Sequence, residues 1–207
     1  MSGGKHGPPR LYVIADVAYM GDLRAWLDLL RQLNDAAGQH RFIVQVRAAR
    51  LEGEEFIGAV GEARHIMNGP SPVVLNGPGN VATELGYDGV HWPESRIPVT
   101  APAGGPAFRT AAVHSIAAIR RAERAAATAL VYSPVFSPSW KPAEAAGLEG
   151  LSNAVAATDL PVYALGGVSL ERTSACLEAG AHGVATVSGI ATGDAGSAVA
   201  AYVSITG

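Results

Sequence analysis

The residues able to do chemistry sit where short apolar runs stop. These ends are Asp16, Gln45 with Arg47, Asn76-Gly77, His91-Trp92, His114-Ser115, Ser133-Pro134, Gly166-Gly167 and Ser188-Gly189. Glycine lets backbone N–H groups approach a phosphate closely, so Gly166-Gly167 and Ser188-Gly189 are candidate phosphate turns. A plain tight turn would use the same glycines. His114 stands beside Ser115, a residue suited to capping a following helix. An imidazole there can face a pocket and exchange protons near neutral pH; a structural histidine is the bland alternative. His91 is a weaker candidate. His6, His40, His65 and His182 fall in the N-terminal segment, helices, loops or a turn. Gln45 and Arg47 share one face of a strand, where a guanidinium can grip carboxylate or phosphate, or close an ion pair at a rim. Lys141 follows the Pro-rich run Ser133–Trp140 and is either a substrate clamp or a solvated charge.

Other chemistries are poorly supplied. There is no His-x-x-x-His, no pair of carboxylates at the strand ends and no Asp-rich loop, so no metal site or cofactor is expected. Gly-Lys-Ser/Thr is missing, which excludes a P-loop. Cys176 is alone, so no disulfide can form within the chain, and a reducing cytoplasm is the expected setting. The net charge of −3 gives no reason to expect nucleic acid or an anionic membrane as partner.

The elements that must position these residues follow a βα grammar. Strands are predicted at Leu11–Asp16, Phe42–Arg47, Pro72–Asn76, Gly89–Trp92, Ala111–His114, Ala129–Ser133, Val162–Leu165 and Val184–Val187. Most are continuously apolar, as strands covered on both faces are. Helices are predicted at Asp22–Leu33, Glu54–Met67, Asn80–Leu85, Ser115–Ala127, Leu148–Thr158, Leu170–Ala179 and Ser197–Val203, with Ser169 as a cap. Gly86–Val90 and Gly180–Val184 share one phrase, a helix exit on glycine followed by a strand. The 207 residues suit one domain, a (β/α)₈ barrel over residues 11–207 behind a disordered leader, Met1–Arg10. An open doubly wound sheet is the alternative. In a barrel, the strand-end residues would line one pocket at its C-terminal face, with phosphate on the loops after strands seven and eight.

Taken in order, the motifs resemble the thiamine-phosphate synthase/TenI family. They are Gln45-Val46-Arg47, Val73–Gly77, Asp88–His91, Val113-His114-Ser115, Pro134-Val135-Phe136 with Lys141, Gly147–Leu151, Ala164–Val168 and Val187–Ile190. The resemblance implies a (β/α)₈ barrel acting on phosphorylated thiamine precursors, and it is compatible with a homodimer. Its synthase branch joins a pyrimidine diphosphate to a thiazole phosphate, with Mg²⁺ on an Asp after the strand-three Asn and another in the loop after strand four. Here those positions hold Gly77 and, near the second, Arg96; Glu94 is the nearest carboxylate. Ala49 stands where synthases carry a Lys. The TenI-like branch tautomerises a carboxylated thiazole phosphate without metal, and its pattern of Asn-Gly after strand three and Val-His-Ser after strand five is present. The resemblance therefore implies a thiazole tautomerase with His114 as proton shuttle. Arg47, Asn76, Lys141, Gly166, Gly167, Ser188 and Gly189 would bind the substrate. A divergent synthase and a non-catalytic barrel that binds a phosphometabolite are the alternatives. The chain departs from the family at Arg109–Ala112, which lacks the usual Gly, at Pro138 and Trp140, and at Ile14-Ala15-Asp16, which lacks the usual Thr.

Overall fold

A computed structural model describes residues 7–137, 144–191 and 193–207. Eight parallel strands close into a barrel in simple sequential order. They are β1 (Leu11–Asp16), β2 (Ile43–Arg47), β3 (Val73–Asn76), β4 (Gly89–Trp92), β5 (Phe108–Val113), β6 (Ala129–Tyr132), β7 (Val162–Ala164) and β8 (Gly183–Thr186). The helices around them are α1 (Val17–Met20), α2 (Leu23–Ala37), α3 (Gly53–Ile66), α4 (Gly79–Glu84), α5 (Ile116–Arg124), α6 (Gly147–Ala156), α7 (Leu170–Glu178) and α8 (Ala195–Thr206). The predicted (β/α)₈ barrel is thus the fold, and the open sheet is excluded.

Strand alternation divides each apolar run between two cores. Tyr12, Ile14, Ile43, Val74, Ala129, Val131, Tyr163 and Ala185 fill the barrel interior. The alternate residues, such as Leu11, Val13, Val44 and Leu75, pack outward against the helices. α2 shows how a helix is seated. Asp22 caps it by accepting from the Ala25 N–H at 2.8 Å. Trp26, Leu30 and Leu33 are then buried at helical spacing, and the Trp26 indole donates to the Ala15 carbonyl at 2.9 Å. Burying one such Leu contributes about 1.5–3 kcal/mol.

The lower, N-terminal end of the barrel is closed by the chain itself. The Pro9 carbonyl accepts from the Tyr163 hydroxyl, the Pro8 carbonyl lies 2.9 Å from His182 Nε2, and Arg10 Nε donates to the His182 carbonyl at 2.9 Å. Pro8–Arg10 are therefore part of the barrel rather than of a leader. The two glycine helix exits hold as expected, with Gly86 at φ 70° and Gly180 at φ 94°. Ala126, just after α5, takes the same left-handed conformation at φ 57° without being a glycine.

The differences from expectation are local. β5 starts at Phe108 rather than Ala111, because Arg109 and Thr110 disguise a strand whose Thr110 is wholly buried. α1 and a short 3₁₀ turn at Glu94–Arg96 are too brief to leave a periodic signal. Ser169 precedes α7, but its hydroxyl donates to Glu171 at 2.6 Å instead of capping the helix. Among the described residues, no helix is long and apolar enough to cross a membrane.

Candidate active site

The strand ends at the upper, C-terminal face surround a cavity of about 330 Å³. Arg47, Asn76, His114, Gly166, Gly167 and Ser188 all line it. Gly189 does not, and its N–H is turned to Thr186 Oγ1 at 3.1 Å. Lys141 lies outside the described residues. His91, the weaker candidate, forms part of the lining as well.

His114 is set by three neighbours. Ser115 caps α5 by accepting from the Ala118 N–H at 3.2 Å, which fixes the strand-to-helix corner. The His114 backbone N–H donates to Glu94 Oε2 at 2.8 Å, and Arg121 holds the other oxygen of that carboxylate at 2.8 Å. The imidazole Nδ1 lies 2.6 Å from the Ser133 carbonyl. A carbonyl only accepts, so Nδ1 carries a hydrogen and the neutral ring keeps its lone pair on Nε2. His114 is exposed at the rim, where a base can meet a ligand.

Arg47 forms the ion pair of its second sequence reading without leaving the cavity wall. One guanidinium nitrogen pairs with Asp16 Oδ2, and the side chain still lines the cavity with 39% of its surface exposed. Asp16 is committed elsewhere too, since its other oxygen accepts from the Ala18 N–H at the start of α1.

Gly166 and Gly167 both adopt left-handed backbone, at φ 95° and 60°. A side-chain carbon at Gly166 would come within 2.7 Å of Pro134 Cα, and one at Gly167 within 2.9 Å of Phe136 Cβ. The loop after β7 is thus pressed against the loop after β6, and only glycine fits. Two hydrogen bonds, Val135 N–H to Leu165 O and Phe136 N–H to Gly166 O, both at 2.9 Å, join the loops. Arg172 braces them by donating to the Gly167 carbonyl at 2.8 Å and stacking 4.7 Å from the Phe136 ring centre.

His91 differs from His114. It is 5% exposed, and burial, reinforced by the positive charge of Arg47, lowers its pKa from 6.5 to about 3. It is a neutral imidazole at physiological pH. Its Nδ1 lies 2.8 Å from Thr110 Oγ1. Thr110 went unnoticed in the sequence. Its signal was the two-residue step 110, 112, 114 that carries one strand face up to His114.

The magnesium site of the synthase branch does not fit these residues. Gly77 offers no ligand, and a side-chain carbon there would lie 3.0 Å from Phe56 Cζ and 3.2 Å from Leu75 Cγ. Both oxygens of Glu94 are already taken, by the His114 N–H and by Arg121.

Comparison with known proteins agrees with this architecture. The family described as Thiamine monophosphate synthase (TMP-TENI) matches residues 11–190. The Thiamine-phosphate synthase of Methanoculleus marisnigri is 32% identical over 191 residues, covering 87% of this chain and 86% of the relative. The protein of that name from Laribacter hongkongensis is 30% identical over 187 residues, covering 88% and 87%. The solved Thiamine phosphate pyrophosphorylase from Pyrococcus furiosus superposes with a TM-score of 0.74 at 23% identity over 95% of each chain, a likeness of fold. A closed eight-stranded barrel with its polar strand ends gathered at one mouth, matched over nearly its whole length by this family's pattern, belongs to the thiamine monophosphate synthase/TenI family.

Proposed function

We propose that the chain is a tautomerase of thiamine biosynthesis, which moves a proton within a carboxylated thiazole phosphate. The observation that carries this reading is His114. Its Nδ1 hydrogen is engaged by the Ser133 carbonyl, which leaves Nε2 as a base in a cavity also lined by Gly166 and Gly167. The phosphate rests on the backbone of Gly166, Gly167 and Ser188. Arg47 takes the carboxylate, with Asn76 beside it, and Lys141 is a second cation for either anion. His114 Nε2 takes a proton from one carbon of the substrate, and the imidazolium returns it to another. No atom is gained or lost and no redox partner is needed.

The test is turnover by His114→Ala and His114→Gln. A positioned general base accounts for about 10²–10⁴ in rate, so both variants should lose that much while still binding inorganic phosphate. Full turnover by either purified variant removes the assignment.

The names of the relatives favour a second reading, a thiamine-phosphate synthase. Against it stand Gly77, the engaged Glu94, and Ala49 in place of a lysine. Incubation with both phosphorylated precursors and Mg²⁺ separates the two readings, because robust thiamine phosphate formation establishes the synthase. Tight binding of the thiazole phosphate without turnover would mark a non-catalytic barrel.

A further inference from the structure

Beneath the cavity, side chains from β1, β2, β4 and β5 form one buried chain of hydrogen bonds whose direction can be worked out. The Tyr12 hydroxyl donates to Gln45 Oε1 at 2.9 Å. That uses its only hydrogen, so Thr110 must be the donor in the 3.1 Å contact between Thr110 Oγ1 and the Tyr12 oxygen. The Thr110 hydrogen is then spent. In the 2.8 Å contact with His91 Nδ1, the threonine oxygen must accept and the imidazole must donate. Strand register makes this contact possible, because His91 and Thr110 are direct partners across β4 and β5. The hydrogen of His91 is therefore on Nδ1 and its lone pair on Nε2. No described residue partners Nε2. Among the described residues, the one fully buried side-chain polar atom without a partner is Ser71 Oγ, so His91 Nε2 opens on the cavity that His91 lines.

We propose that Thr110 is a positioning residue: with Tyr12 and Gln45 it locks His91 as the Nδ1–H tautomer, so that the cavity floor meets the substrate with a bare nitrogen acceptor. A bare lone pair welcomes an N–H or O–H and repels a carboxylate or phosphate. The floor is then closed to both anionic ends of the substrate, and those ends are sent to Arg47 and to the glycine loop. The lock fixes which way round the substrate lies. This last consequence rests on the tautomerase reading; the lock itself does not.

The imidazole tautomer is measured directly, by two-bond proton–nitrogen correlation in ¹⁵N-labelled protein without substrate. The His91 signals are assigned by their loss in His91→Gln. The expected result is a protonated Nδ1 and a bare Nε2. Thr110→Val should mix the tautomers, and Thr110→Ser, which keeps the hydroxyl, should restore the pure one. Protonated Nε2 in the wild-type protein, or an unmixed tautomer in Thr110→Val, overturns the proposal. Kinetics with the carboxylated thiazole phosphate supply a second readout. In Thr110→Val, part of the substrate binds the wrong way round, so kcat and KM fall together, by roughly 2- to 12-fold, the range one neutral hydrogen bond accounts for. A raised KM with unchanged kcat would mean that Thr110 contributes only uniform binding, and would overturn the orienting role. A wild-type protein that does not turn this substrate over removes the tautomerase reading, while the nitrogen signals still decide the lock.

Discussion

The two ends of the barrel spend their residues differently. At the upper end, backbone and side chains are committed to holding open a lined space. Glycines stand in left-handed conformations against a neighbouring loop, and Glu94 and Arg121 serve one histidine's orientation. At the lower end, the same kinds of groups close the structure. His182 binds the Pro8 carbonyl, Tyr163 binds the Pro9 carbonyl, and left-handed residues merely end helices. Residue type alone does not separate these roles, since each end has its histidine and its positive-φ turns. What separates them is what those groups meet: His114 and Arg47 border the upper cavity, whereas His182 and Tyr163 bind carbonyls of the chain itself. Upper-end variants should thus change activity, and lower-end variants should change stability alone.

Four measurements press on that division. The largest effect is expected for His114→Ala, a fall of about 10²–10⁴ in kcat with thermal stability nearly unchanged, because the side chain is exposed. A large loss of stability would break the comparison at its strongest point. Next is Gly166→Ala, which should blur the division. Left-handed strain and the 2.7 Å clash with Pro134 together cost about 2–5 kcal/mol, and phosphate affinity should fall as well. Urea unfolding and phosphate titration of the same sample measure both.

The third measurement concerns His91, which lies between the two ends. Its folded pKa of about 3 is below the ordinary 6.5, so between these values the unfolded chain binds a proton that the folded one refuses. The associated stability is fully present above pH 6.5 and is lost as the pH falls towards 3. His91→Gln should flatten that slope in urea midpoints taken across the window. The smallest effect belongs to the lower end. Ala126→Gly relieves the left-handed alanine, and after the entropy cost of glycine it should stabilise the fold by about 1 kcal/mol, with kcat unchanged. A change in kcat would show that the lower end reaches the chemistry after all.

Much of the fold was legible because its signal is local. A strand covered on both faces writes itself as an unbroken apolar run, and β1, with all six residues buried, reads off directly. The upper-end pocket followed, because strand ends gather at one mouth in any such barrel. The exceptions are residues whose role depends on a partner in another strand. Thr110 reads as a polar interruption until register places it beside His91. Glu94 reads as a spare carboxylate until it is seen gripping the His114 N–H from 20 positions away in sequence. Gly189 reads as half of a phosphate turn, yet its N–H points back to Thr186, a choice that depends on loop conformation and not on residue type.

Phe56 bears on how this barrel could be re-engineered. Its ring tip and Leu75 crowd the place where any side chain at position 77 would begin. An acidic residue at position 77 has to displace the Phe56 ring tip and the Leu75 end by a few tenths of an ångström, and Glu94 would also have to release His114 before it could ligate a metal. An acid at position 77 alone would leave the second carboxylate engaged by the His114 N–H and Arg121, so a magnesium site in this barrel takes at least two coordinated changes.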